Sequence, residues 1–193
     1  MTKTVLTSDL HWNHTNIVKL TQRKSVVSQE DHDDWLVDLL NSQIDKHTNV
    51  LHLGDWCFKS NYEHQVSLMK RLNGNWTMIL GNHDNEDNMK RLKRDGYINN
   101  YAHYKEIKIR DNKVCLFHFP ITAWNKQHYG SWHCFGHAHG SHVGKGKCLD
   151  VGLDNSYNIF GEHKVFTEDE ICDIMATKEV FIAEDHRADK SKE

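Results

Sequence analysis

Short apolar runs bounded by loop residues alternate along this chain with stretches in which apolar residues return at helical spacing. Thr4 to Thr7, Asn49 to Leu53 and Trp76 to Leu80 read as strands, as do Val114 to Phe119 and Trp132 to Phe135. Between the first three lie helical patterns. Ser28 can cap a helix with Asp31 in its first turn, and Trp35, Leu36, Leu39, Leu40 and Ile44 then follow on one face. Glu63 to Leu72 and Glu86 to Arg94 are the next helices. The resulting β-α-β-α-β order predicts a parallel sheet. From about Tyr104 the pattern is richer in strands and turns, with a hairpin turn at Asp111-Asn112-Lys113. No repeat or internal linker interrupts it. The reading is one α/β domain over residues 1–184 and a frayed polar tail over 185–193.

The placement of polar residues matters more than their number. Asp9 follows the first strand, Asp55 the second, and Asn82 and His83 the third. Open α/β sheets bind ligands at the carboxyl ends of their strands. Residues far apart in sequence are therefore expected to converge on one edge.

Composition adjusts this picture in a few respects. At 193 residues the chain suits one core. A net charge of −3 argues against a broad basic face that coats nucleic acid. It does not argue against a small phosphate ester, because bound metal supplies positive charge locally. No apolar run is long enough to span a bilayer. The first residues lack the apolar stretch of a signal peptide and soon meet Asp9, so the cytoplasm is the expected location. The five cysteines are odd in number and form no C-x-x-C, which argues against a disulfide framework or zinc ribbon. Most of them read as buried small hydrophobes. The outlying count is 16 histidines.

Asp9-Leu10-His11 carries little weight alone, since a chain this rich in Asp and His contains roughly one such match by chance. Asp45-Lys46-His47 is such a match and reads as the solvated end of a helix. Gly81-Asn82-His83-Asp84 arises by chance in roughly one shuffled chain per hundred, and Gly136-His137-Ala138-His139 in somewhat under roughly one in ten. With Gly54-Asp55 these blocks appear in order, each after a strand-like run, and His118 ends an apolar strand ahead of the last of them. Together they resemble the calcineurin-like metallophosphoesterase superfamily from about Val5 to His139. The small single-domain bacterial and phage members are the most similar, through Trp12 to Ile17 and Leu72-Asn73-Gly74.

The resemblance implies a four-layer α/β/β/α sandwich with two mixed β-sheets and a metal site at the carboxyl ends of strands. It implies two divalent ions, of which manganese is the expected one, with Fe, Zn, Co or Ni accepted by the same donors. Asp55 would bridge them, Asp9, His11 and His139 would complete one site, and Asn82, His118 and His137 the other. A metal-bridging hydroxide would attack phosphorus, with His83 assisting the leaving oxygen. Asp84 would orient the His83 imidazole. Gly54, Gly81 and Gly136 would permit tight turns beside the metals. The expected substrate is a small phosphate ester, nucleotide-like by analogy, and a phage-encoded chain would act in the host cytoplasm.

Other residues carry two readings each. His118 has no signature around it and also fits a satisfied core histidine. Asn13 and His14 either touch substrate or hold their loop. His133 and His142 read as surface or supporting histidines ahead of extra ligands, and His52, inside a strand, as structural. Lys90 to Arg94 either steers a polyanion or forms a solvated helix face with charge suited to a C-terminus. Trp12, Trp56 and Trp124 either stack on a base or pack in the core. The Gly54-Asp55 block lacks the Arg, and the Asn82-His83 block the Glu, of Ser/Thr protein phosphatases, which disfavours that activity. About fifty residues follow His139, enough to finish the sheet and little more, so a long-duplex nuclease is not the favoured expectation. Two alternatives stand beside a phosphodiesterase or phosphatase. One is a nuclease acting on short or single-stranded ends; the other is a catalytically silent metal-binding partner module.

Overall fold

The computed structural model describes residues 3–21, 23 and 28–182. The first strand-like run becomes β1 (Thr4–Thr7), followed by a short α1 (Ile17–Leu20). Ser28 then caps α2 (Gln29–Gln43), its side chain accepting the N–H of Asp31 as the spacing predicts. Next come β2 (Asn49–His52), α3 (Tyr62–Met69), β3 (Asn75–Ile79) and α4 (Glu86–Arg94). Asn61 and Asn85 cap α3 and α4.

The second half holds β4 (Asn100–Ala102), β5 (Tyr104–Ile109), β6 (Asn112–Phe117), β7 (Trp132–Phe135) and β8 (Cys148–Asp150). It ends with α5 (Leu153–Phe160), β9 (Phe166–Thr167) and α6 (Glu168–Ala176). The hairpin turn sits at Arg110 and Asp111, with Ile109 paired to Asn112, one residue earlier than predicted. Asn112 and Lys113 belong to the strand. The polar tail at 185–193 lies outside the described residues.

Two mixed sheets result, ordered β4-β3-β2-β1-β9 and β5-β6-β7-β8. In the first, β1 to β4 are parallel and β9 runs antiparallel to β1. Alternation along each strand divides the interior in two. Val5, Val50, Trp76 and Met78 face the helices and pack with Leu36, Leu40, Leu68, Met89 and Leu92. Leu6, Leu51 and Ile79 face the second sheet and meet Val114, Leu116, Cys134 and Leu149, with Ile171 and Met175 of α6 in the same cluster. This is the α/β class with two mixed sheets that the resemblance implies. On the far side of the second sheet, Trp124 packs on His133 and His142 on Phe135. Cys115, His133 and Cys148 lie in one row across that face and are buried there.

The described cysteines are unpaired thiols, four of them buried, as read from the sequence. Among the described residues no helix is long and apolar enough to cross a membrane.

Candidate metal centre

The loops after β1 and β2 continue the pairing of their strands. Leu53 N–H donates to Thr7 O at 2.8 Å, Asp9 N–H to Gly54 O at 3.0 Å, and His11 N–H to Asp55 O at 3.1 Å. Trp12 N–H then reaches Trp56 O at 2.9 Å, and Phe58 N–H reaches Trp12 O at 2.8 Å. The two indoles are fully buried against each other, with ring centres 5.6 Å apart. Trp12 and Trp56 therefore anchor the loops from inside the core and are not open to a substrate base.

Six residues of this region have left-handed backbone: Asp9, His11, Asn13, Asp55, His137 and His139, with φ between 47° and 67°. Each such residue costs about 1–2 kcal/mol outside glycine. Strain of this kind persists where the surrounding structure over-determines it, and it clusters at functional sites. Here the zipped loops impose it, and the reversals turn successive polar side chains toward one point. Gly81 approaches so closely that a Cβ there would collide with Asp55 Oδ1 and the Asp55 amide.

Two donor groups converge. Ligand atoms of Asp9, His11 and His139 lie within 4.8 Å of one another, and so do those of Asp55, His118 and His137. Asp55 lies between the groups, with Oδ2 3.6 Å from His11 Nε2 and Oδ1 3.4 Å from His118 Nε2. Asn82 joins the second group, its Oδ1 3.2 Å from His118 Nε2. His118 follows β6 directly and is fully buried. Its Nδ1 donates to Leu53 O at 2.8 Å, which turns Nε2 toward Asp55 and Asn82.

These residues fit divalent cations. The His11 ring is buried beside two carboxylates, yet neither of its nitrogens has a hydrogen-bond partner. Buried polar groups are normally partnered. Imidazole, carboxylate and amide donors without a thiolate suit hard or borderline divalent ions. Burial pushes the Asp9 carboxyl up to about 7, which marks the cost of holding negative charge there without a counter-charge. Burial also opposes ionisation of Asp55, but the hydrogen bond and charge of His118 outweigh it and hold that carboxyl below the usual range.

His83 sits at the mouth of the site with its side chain 37% exposed. Its N–H donates to Asp55 Oδ1 at 3.0 Å, and its Nε2 lies 3.9 Å from Asp55 Oδ2. Its ring packs edge-on to Phe58, and it lines a cavity of about 310 Å³ with Asn82, Phe58 and Lys59. Asp84 does not do what its position suggests. Its Oδ2 accepts the N–H groups of Gly81 and Asp55, and its Oδ1 that of Trp56, at 2.8–2.9 Å. The carboxylate thus staples the β3 loop to the β2 loop and is spent on backbone; the expectation that it orients the His83 imidazole is corrected.

Asn13 holds its loop: Nδ2 donates to Phe58 O at 3.0 Å and its N–H to Asp33 Oδ1 at 3.3 Å. His14 packs edge-on to Phe58 and lies 5.4 Å from the His11 ring. His133 is buried with its nitrogens near the carbonyls of Cys115 and Phe119, so it supports the second sheet. His142 is exposed and stands outside both donor groups. His52 packs against Trp56 and Trp76 in the helix-side core, as its strand position predicts. Trp124 donates to Ser131 O and packs on His133. In the basic cluster, Arg91 lies over Tyr62, Lys93 bonds Asn100 and Arg94 bonds Asp95, an ordinary helix face.

Arg23, Asp150 and Asp154 were not singled out in the sequence. All three are buried near Asp9 or His139. Asp150 accepts the N–H groups of Gly140 and Gly152, shaping the loop that carries His139. The apolar run Cys148-Leu149-Asp150-Val151 is the one signal that a further strand end, and so further site residues, lay there.

The chain is similar to several known proteins. A family model described as calcineurin-like phosphoesterase matches residues 2–187. An uncharacterized protein of Methanocaldococcus jannaschii is 28% identical over 145 residues, covering 74% of this chain and 73% of its own. A protein of unknown function from Aquifex aeolicus has a similar solved structure, with a TM-score of 0.66 at 20% identity, covering 89% of this chain and 98% of that one. A solved archaeal phosphodiesterase aligns at 18% identity and a TM-score of 0.43, over 86% of this chain and 99% of its own. The family match spans nearly all of the sequence, and the chain belongs to the calcineurin-like phosphoesterases.

Proposed function

We propose that the chain hydrolyses a small, nucleotide-like phosphodiester or phosphomonoester with two divalent ions, manganese first among them. Asp9, His11 and His139 would hold one, Asn82, His118 and His137 the other, and Asp55 would serve both. The observation that carries this reading is the position of Asp55, with one carboxylate oxygen toward each donor group. Bound ions would offset the charge of the phosphate and lower the pKa of water at the site. The residues of the chain supply the rest. The zipped loops and the Asp84 staple keep the donors in place without substrate. His83, at the open edge, presents its imidazole to the leaving oxygen and can donate a proton there.

Metal-reconstituted protein tested on cyclic nucleotides, linear mononucleotides, oligonucleotides and aryl esters checks the reading. Hydrolysis of small esters is expected; cleavage of oligonucleotides alone would make it a nuclease, and two bound ions with no hydrolysis a silent binding module. Asp55→Ala should lose both ions, and full occupancy would overturn its bridging role. His83→Ala should keep the ions and lose at least about tenfold in turnover on a poor leaving group.

A further inference from the structure

Arg23 is one of the largest fully buried side chains in the molecule, although it comes from a loop. Every direction of its guanidinium is used. Nε and Nη2 both reach Asp154 at 3.0 Å, a bidentate pair. Nη2 also donates to Asp9 O at 2.6 Å and Nη1 to Leu10 O at 2.9 Å, while His32 Nε2 lies 3.1 Å from Nη1. Asp154, at the start of α5, turns Oδ2 to His139 Nδ1 at 2.7 Å. His163 Nε2 stands 4.0 Å from its other oxygen.

A buried ion pair is a weak source of stability, because desolvation offsets most of the attraction. Its contacts suggest a different use. One guanidinium grips the backbone of Asp9, a donor of the first group, and of Leu10, which leads directly into the donor His11; through Asp154 it also grips the third donor, His139. A carboxylate accepting from Nδ1 fixes the tautomer, leaves Nε2 free as a ligand atom and makes it a better donor. The second group is arranged differently: His118 is oriented by a neutral carbonyl, that of Leu53.

We infer that Asp154, anchored by Arg23, is a positioning residue for His139 and sets the affinity of the first metal site separately from the second. This rests on His139 being a metal donor, as proposed above. Neither residue needs to touch substrate.

The test is titration of metal-free protein with Co²⁺, followed by its visible absorption. The unchanged chain should bind two ions. Asp154→Asn should weaken one of them by about 10–100-fold and leave the other within about twofold. In a His139→Ala background, Asp154→Asn should add less than about twofold, because its partner is gone. Should Asp154→Asn alone fail to fold, Arg23→Met with Asp154→Asn removes the uncompensated charge and is compared with Arg23→Met. Unchanged affinity at both sites would overturn the inference. An equal loss in the His139→Ala background would also overturn it, since the effect would then be general and not through His139. If the unchanged chain bound no Co²⁺, the metal reading itself would fall and the inference with it.

Discussion

Replacing Asp84 separates a staple from a partner of His83. Its carboxylate accepts three backbone N–H groups at 2.8–2.9 Å, two on Oδ2 and one on Oδ1. Hydrogen bonds to charged groups contribute about 1.5–3 kcal/mol each when fully buried. These are partly buried, so water recovers some of the loss and about 1 kcal/mol each is a fair figure. Asp84→Ala should therefore destabilise metal-free protein by about 3 kcal/mol. Asp84→Asn can place its oxygen at the Oδ2 position and keep the Gly81 and Asp55 amides, losing only that of Trp56; about 1 kcal/mol is expected. With an m-value of about 2–3 kcal/mol per molar urea, the midpoints should fall by about 1–1.5 M and about 0.5 M. Metal-free protein is required, because bound ions would mask the difference. The alanine variant should also bind metal more weakly, since the Asp55 amide it held is released. A stability within about 0.5 kcal/mol of the unchanged protein would refute the staple, that being the ordinary range of surface substitutions. Equal damage from both variants would refute the orientation given to Asn.

Three further outcomes follow from the same structure. Burial holds the His52 imidazole down to about 3, from an ordinary 6.5. The unfolded chain therefore binds a proton that the folded chain refuses, and stability falls as pH drops through 6.5 toward 3. At pH 5 this amounts to about 2 kcal/mol, so urea denaturation of His52→Asn should lose that much less between pH 7 and 5 than the unchanged chain; identical slopes would refute the assignment. A Cβ at Gly136 would collide with Ser8 Oγ and lie 2.6 Å from Asp9 Oδ2. Gly136→Ala should cost about 1–3 kcal/mol and displace Asp9, leaving about one ion per chain by metal analysis, and full occupancy would count against it. Stripping metal with a chelator should abolish hydrolysis and lower the melting temperature, and manganese should restore both; activity surviving metal removal would sink the metal reading.

The order of strands and helices in the first half, and the blocks that mark the family, are legible in the chain before any fold is known. Local periodicity and capping carry that information: Ser28 capped α2, and Leu6, Leu51 and Ile79 faced away from Val5, Val50 and Met78 because side chains alternate along a strand. Gly81-Asn82-His83-Asp84 and Gly136-His137-Ala138-His139 were legible because such clusters rarely arise by chance. Tertiary structure decided which atoms these side chains face. Asp84 lies beside His83 in sequence, but its oxygens are taken by amides nearly thirty residues away and by Gly81. His118, expected as a ligand by resemblance but without a signature of its own, was placed next to Asp55 by β6. Arg23 and Asp154 are 131 positions apart and left no pattern. A buried charge finds its partner through three-dimensional proximity and desolvation, and neither is encoded in local spacing.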